Sequence, residues 1–157
     1  MESVEATRIS LRAACSQDFG YCERLYFAGM AKIIQELNLE MTAQIATFRK
    51  QWEVAQVRII TLDGADAGWL QSTTRGDNLF LAQIFVDGDF QQRGIGTEVM
   101  RRLIGEASRA GRAVTLGVVK TNPALRLYTR LGFRVTHDDE RKFYLRRDPD
   151  EDALSAK

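Results

Sequence analysis

The feature that most restricts this chain is the apolar run Leu79–Val86, which leads within five residues into Gln91-Gln92-Arg93-Gly94-Ile95-Gly96-Thr97. A nearly continuous apolar strand is normally covered on both faces and so belongs at the centre of a sheet. Beyond the loop, Ile95, Val99, Leu103 and Ile104 recur at helical spacing until Gly111 supplies a stop. A helix that starts directly after a strand presents amides without intrahelical partners and the positive end of its dipole, which together attract an anion. Gly94 and Gly96 let a phosphate come close to those amides. Arg93 adds a permanent charge, and the Thr97 hydroxyl adds a donor.

The two common phosphate loops do not fit. The run lacks the Gly-Lys-Ser/Thr of a nucleoside-triphosphate loop, and Gly94-Ile95-Gly96 is followed by Thr97-Glu98-Val99, so the third glycine of a dinucleotide loop is missing. Taken alone, the glycines also suit a mere tight turn. The surroundings decide.

Around this centre the elements alternate. Arg8–Arg12 reads as a half-buried strand, and Asp18 is placed to cap a helix reaching about Asn38. Thr42 is placed to cap a second, carrying Ile45, Phe48 and Trp52. Val57–Leu62 and Ala67–Thr74 read as antiparallel strands around the Asp63-Gly64 turn. After the central helix, Ala113–Val119 is a further buried strand, and Asn122-Pro123 opens a helix ended by Gly132. Phe133–Thr136 and Lys142–Arg146 are the closing strands, joined by a charged turn, His137–Arg141. The fold class is therefore α/β: a mixed seven-stranded sheet flanked by about four helices, parallel in the middle and antiparallel at its ends.

With 157 residues the chain reads as one domain, its core about 8–147 and its ends disordered. Twenty-two Lys and Arg against 21 Asp and Glu argue against a nucleic-acid partner, which needs a basic face. No run approaches a membrane span or a signal peptide, so a cytoplasmic location is expected. Cys15 and Cys22 form no CxxC pair and His137 is far from both, so no metal site is expected; free thiols are the default, with a Cys15–Cys22 disulfide left open.

The loop resembles the Q/R-x-x-G-x-G/A signature of the GCN5-related N-acetyltransferases, matched at Gln91, Gly94 and Gly96. Asn122-Pro123-Ala124-Leu125-Arg126-Leu127-Tyr128-Thr129-Arg130-Leu131-Gly132-Phe133 is similar to that family's second motif, an Asn, a helical Tyr, then Gly-Phe. The order of elements agrees from about Ile9 to Arg146. The resemblance implies acetyl-CoA as co-substrate, with backbone groups of Ile84, Phe85 and Val86 lining the pantetheine arm. Gln91, Gln92, Arg93, Gly94, Ile95, Gly96 and Thr97 would hold the pyrophosphate, and Asn122 would touch the cofactor as well as cap its helix. The Asn-to-Tyr spacing is six where seven is common, so Thr121 can share the role.

By the same resemblance Tyr128 is the catalytic candidate, a phenol that stabilises and protonates the leaving thiolate. Its competing role is that of a core aromatic. The acceptor is expected to be a small-molecule or peptide amine, which must shed a proton before it attacks. Many relatives carry a Glu on the central strand for this; here the position is Phe80, and the strand has no acid. Glu36, Glu40 and Asp77 are distant candidates, and an acceptor of low pKa would need no base. Tyr21, Tyr26, Phe27, Met30 and Trp69 can line an acceptor pocket or simply belong to the core, and His137 reads as a solvated surface residue. Arg101-Arg102 and Arg146-Arg147 read as exposed faces, the first pair within possible reach of the adenosine phosphate. The missing Glu keeps open a second reading, a catalytically idle acyl-CoA-binding module. A homodimer is the assembly common among such relatives.

Overall fold

The computed structural model describes residues 8–91 and 93–150. Along them run β1 (Ile9–Ala13), α1 (Phe19–Glu36), α2 (Met41–Gln51), β2 (Val57–Leu62), β3 (Ala65–Arg75), β4 (Asn78–Val86), α3 (Ile95–Arg109), β5 (Ala113–Val119), α4 (Ala124–Arg130), β6 (Arg134–Asp138) and β7 (Lys142–Arg147). The hydrogen-bonded order is β1-β2-β3-β4-β5-β7-β6. β4 and β5 pair in parallel from Asn78↔Ala113 to Leu81↔Leu116, while β1–β2, β2–β3, β5–β7 and β6–β7 are antiparallel. This is the mixed seven-stranded sheet with four helices that the sequence implies.

The chain divides into two compact units, Met1–Gln71 with Gln83–Gly96 and Ser72–Ala82 with Thr97–Lys157. In the first, Asp63 and Gly64 both take positive φ, 50° and 88°, the geometry a two-residue hairpin turn requires. Cys22, Leu25 and Ile33 bury one side of α1, at the spacing of a single helical face. The first two join Phe48, Val57, Ile59 and Trp69 in a core ringed by Phe19, Tyr26, Phe27, Trp52 and Phe85. Trp69 is fully buried with no partner for its indole N–H. Burying so large a ring is worth about 4–6 kcal/mol by area, and the orphan donor costs about 1–3, so the ring still stabilises the fold.

Two caps differ from expectation. Asp18 precedes α1, but its carboxylate accepts two guanidinium hydrogen bonds from Arg12, at 2.9 and 3.0 Å, and the Cys15 amide at 2.8 Å; the ion pair outcompetes the cap. Helix α2 is capped by Glu40, not Thr42, with Glu40 Oε1 accepting from the Ala43 amide at 2.9 Å.

In the second unit α3 buries Val99, Met100, Leu103, Ile104 and Ala107, and β5 buries Val114, Leu116 and Val118 on alternate positions. Gly111 and Gly132, at φ 73° and 96°, stop α3 and α4 where a side chain would be strained. Strand β6 extends two residues further than the sequence suggests and takes in His137. It carries one extra residue: Val135 faces Leu145 and His137 faces Tyr144, with Thr136 between them, the arrangement of a β-bulge. The central strand also departs from expectation. Only Leu81 of β4 is buried, Ala82 is exposed and the rest are half-buried.

Candidate functional site

The C-terminal half of β4 is set by a glycine on its neighbour. A Cβ on Gly68 would begin 2.3 Å from the Phe85 carbonyl oxygen and 3.0 Å from Val86 Cα. Only a residue without a side chain lets β3 and β4 come this close. Asp87 then donates its amide to Ala67 O at 2.8 Å, just beyond the strand. The Phe85 ring points into the aromatic core, stacked on Trp69 at 5.7 Å and edge-on to Tyr26 at 5.3 Å. It lies so near α1 that a Cβ on Gly29 would start 2.8 Å from it. Phe85 is therefore held against both β3 and α1, and Val86 against β3. Sequence reasoning passed over Gly68, although a glycine inside a strand pattern is the usual sign of a close backbone approach.

The loop continues from this anchor. Asp87 caps a short turn by accepting the Asp89 amide at 3.2 Å, and receives the Tyr21 hydroxyl at 3.4 Å. Gln91 turns back, its Nε2 donating to Val86 O at 2.9 Å. Its side chain thus closes the loop on the strand. Gln92 lies outside the described residues. Arg93 is exposed, with its guanidinium 5.5 Å from the Phe90 ring centre. Gly94 has φ 76° and nothing within 4 Å of where a side chain would begin; Gly96 would meet only Val86 Cγ2, at 3.9 Å. Ile95 is buried and anchors the first turn of α3. The result is a helix start at which neither glycine is crowded by a neighbour.

Thr97, Asn122 and Tyr128 belong to the second unit. Asn122 Oδ1 accepts the Ala124 amide at 2.9 Å, so the capping role is present. Tyr128 is buried on α4, its ring edge-on to Phe133 at 5.8 Å. Burial lifts its phenol above the ordinary value, which keeps the proton on oxygen throughout the neutral range.

No acid stands at Phe80. Its ring lies instead under the Arg75 guanidinium, 3.9 Å from the centre. Glu40 is engaged as a cap, and Glu36 and Asp77 are exposed. Of the pocket candidates, Trp69 is wholly core, while Tyr21, Tyr26, Phe27 and Met30 are half-buried. Both cysteines are free: Cys15 is exposed, Cys22 buried with its thiol pushed up to about 11 by desolvation. Among the described residues no group of three His, Cys, Asp or Glu is placed to hold a metal. No described helix is long and apolar enough to cross a membrane.

Known proteins share this fold. An N-acetyltransferase of Methanocaldococcus jannaschii, described as uncharacterized, is 37% identical over 70 residues, 43% of this chain and 31% of that protein. The aligned segment thus spans about a third of that relative's length. The N-acetyltransferase PaiA of Thermoplasma acidophilum, solved in complex with coenzyme A, superposes with TM-score 0.66 at 15% identity, covering 90% of this chain and 99% of that one. The ribosomal-protein-S18-alanine N-acetyltransferase of Escherichia coli gives 0.64 at 19%, covering 90% and 94%. At such identities the two structures speak to the fold. A family model for the acetyltransferase (GNAT) domain matches residues 53–135, a stretch that contains the Gly68 contact, the open loop and the α4 tyrosine, and the chain belongs to that family.

Proposed function

We propose that the protein transfers the acetyl group of acetyl-coenzyme A to a primary amine, which attacks directly while both substrates are bound. One observation carries the reading: the start of α3 is a cradle of backbone amides with Gly94 and Gly96 unobstructed and Arg93 exposed beside them. A pyrophosphate fits it, because two negative charges meet a helix N-terminus, a guanidinium and no competing carboxylate within the run Gln91–Thr97. Coenzyme A would supply the activated thioester, held through that pyrophosphate.

The chain's own residues then divide the labour. Amides of Gly94, Ile95, Gly96 and Thr97, with Arg93, hold the phosphates, and Gln92 is assigned to the same run by resemblance. Gln91 keeps the loop in register through Val86 O. Ile84, Phe85 and Val86 offer strand backbone to the pantetheine arm. Asn122 is assigned by resemblance to touch the cofactor, its bond from the Ala124 amide fixing the side chain. Tyr128 holds a proton at its hydroxyl for the departing sulfur, a role suited to a phenol that burial keeps protonated. The acceptor is a small-molecule or peptide amine.

Phe80 under Arg75 favours a second reading, a coenzyme-binding module without turnover. A screen of amines with acetyl-CoA separates the two.

The test of the site is calorimetric titration with acetyl-CoA, coenzyme A and NADH, on the wild type and on Gly96→Glu. The added side chain begins in ordinary contact with Val86 Cγ2 alone, at 3.9 Å, so the variant is expected to fold while covering the amides. Micromolar binding of the coenzyme A species, lost in the variant, supports the reading. No binding at millimolar concentration overturns it.

A further inference from the structure

Helix α4, which carries Tyr128, is only 7 residues long, and a helix so short is marginal on its own. Tyr128 is also its one buried side chain, so packing along its length does little to stop it rocking about that ring. The ends decide where the phenol sits. At the front, Asn122 Oδ1 takes the Ala124 amide. At the back the chain turns through Leu131, Gly132 and Phe133, whose amides donate to Leu127 O at 3.0 Å, Thr129 O at 3.1 Å and Tyr128 O at 3.0 Å respectively. Phe133 is buried and sets its ring edge-on to Tyr128 at 5.8 Å. Tyr128 is therefore tied to this turn twice, through its carbonyl and through its ring.

The turn is held from outside by Arg147, the last residue of β7. Its Nε donates to Leu131 O at 2.7 Å. Gly132 makes the approach possible: a Cβ there would begin 3.1 Å from Nε and 3.7 Å from Cζ of Arg147. The glycine thus ends α4 by its positive φ and leaves room for the guanidinium. The cation also stands at the negative end of the helix dipole.

The guanidinium is itself fixed. Its Nη1 donates to Asp150 Oδ1 at 2.9 Å and to Asp148 O at 3.2 Å. The Asp150 amide donates to Ser108 Oγ at 3.0 Å, and Ser108 is buried near the end of α3. Asp148 is pinned by Arg146 and Arg134, at 2.7 and 3.2 Å. Residues 147–150 so form a strap that joins β7, the end of α3 and the end of α4, all within the second unit.

We propose that Arg147 is a positioning residue for Tyr128, fixing through Leu131 O the turn on which the phenol rests, with Asp150 and Ser108 keeping Arg147 in place. This rests on the proton-holding role given to Tyr128 above. A proton donor works only within about 2.6–3.2 Å of its partner, and a displacement of about 1 Å costs about 10²-fold in rate. Lysine is no substitute. A single ammonium on a flexible stem does not reproduce the fork that reaches Leu131 O and Asp150 together.

The experiment compares kcat, and KM for acetyl-CoA, in the wild type, Arg147→Lys, Tyr128→Phe and the double variant, with an acceptor found by amine screening. Arg147→Lys is expected to lower kcat about tenfold, with KM and coenzyme A affinity within about twofold. In the Tyr128→Phe background the same substitution should change kcat by less than about twofold, since no phenol remains to be placed; a merely structural role gives equal factors in both backgrounds. Asp150→Ala, which leaves the core and α4 intact, is expected to lower kcat about threefold, and Asp150→Asn, which keeps an acceptor oxygen, to restore it. This pair carries the test if Arg147→Lys does not fold. Wild-type kcat in Arg147→Lys, or equal losses in both backgrounds, overturns the positioning role and leaves acetyl transfer standing. A Tyr128→Phe enzyme with wild-type kcat overturns the role of Tyr128, and this proposal with it. A wild type that binds coenzyme A yet acetylates no amine overturns the acetyl-transfer reading and, with it, both roles.

Discussion

Replacing Gly68 by alanine tests whether the end of β4 is held by contact with its neighbour. The added carbon would begin 2.3 Å from Phe85 O, while tolerated contacts start at 3.0–3.4 Å. The obstacle is backbone on both sides, so the strands must part by roughly 0.7–1 Å, more than a close-packed interior yields freely. That movement stretches the Asp87–Ala67 hydrogen bond, now 2.8 Å, beyond useful range. Overpacking of this kind costs about 1–3 kcal/mol and the lost bond about 1. The total is ~3 kcal/mol, or a fall in Tm of about 6–12 °C for a domain this size. The assay is thermal denaturation followed by circular dichroism, with coenzyme A titration alongside, since the displaced segment leads into the loop. Gly96→Ala is the matched control: its new carbon meets only Val86 Cγ2 at 3.9 Å, and at a helical position alanine gains up to about 1 kcal/mol. If Gly68→Ala melts within about 2 °C of the wild type, or both variants fall together, the close approach does not fix this strand.

Two further outcomes are expected. Tyr128→Phe should lower kcat by about 10²-fold with coenzyme A affinity within twofold; because burial raises the phenol above 10.0, its proton is present through neutral pH, and an alkaline limb near pH 8 that vanishes in the variant would contradict this role. Asp18, held down to about 2 chiefly by Arg12, contributes stability that is full above the unfolded carboxylate value of about 3.9 and is lost as pH falls through its folded value. With Arg12 41% exposed, the discounted size is ~1–2 kcal/mol: Asp18→Asn should be weaker than wild type by that amount in urea at neutral pH and converge with it near pH 2, and a gap that persists there would refute the linkage.

The middle of the fold is legible because three local signals agree there: an apolar run, a glycine pair and a helical period around Val99 and Leu103. Asn122 is readable too, since a cap is a short-range event. Asp18 and Thr42 mislead for a common reason. Several residues near a helix start can offer an oxygen, and which one caps is settled by a partner far along the chain, as Arg12 settles it for Asp18, or by a neighbour with longer reach, as Glu40 does for α2. Leu79–Val86 reads as doubly covered because composition records how apolar a strand is and says nothing of what is built over each face. The same limit hides Gly68, whose need arises only when Phe85 O arrives opposite it. His137 looks like part of a turn because a bulge adds a residue without changing the alternation on either side.

That extra residue also affects how molecules meet. All five residues of β6 are exposed, and the strand ends the sheet. A flat outer strand offers unpaired amides and carbonyls on which a foreign strand can grow. Thr136 interrupts the spacing of those groups, and Arg134 and Asp138 are already paired with Asp148 and Lys120. The rim of the sheet is thus a poor template for runaway strand addition, and the protein can leave Val135 in water without seeding aggregates there.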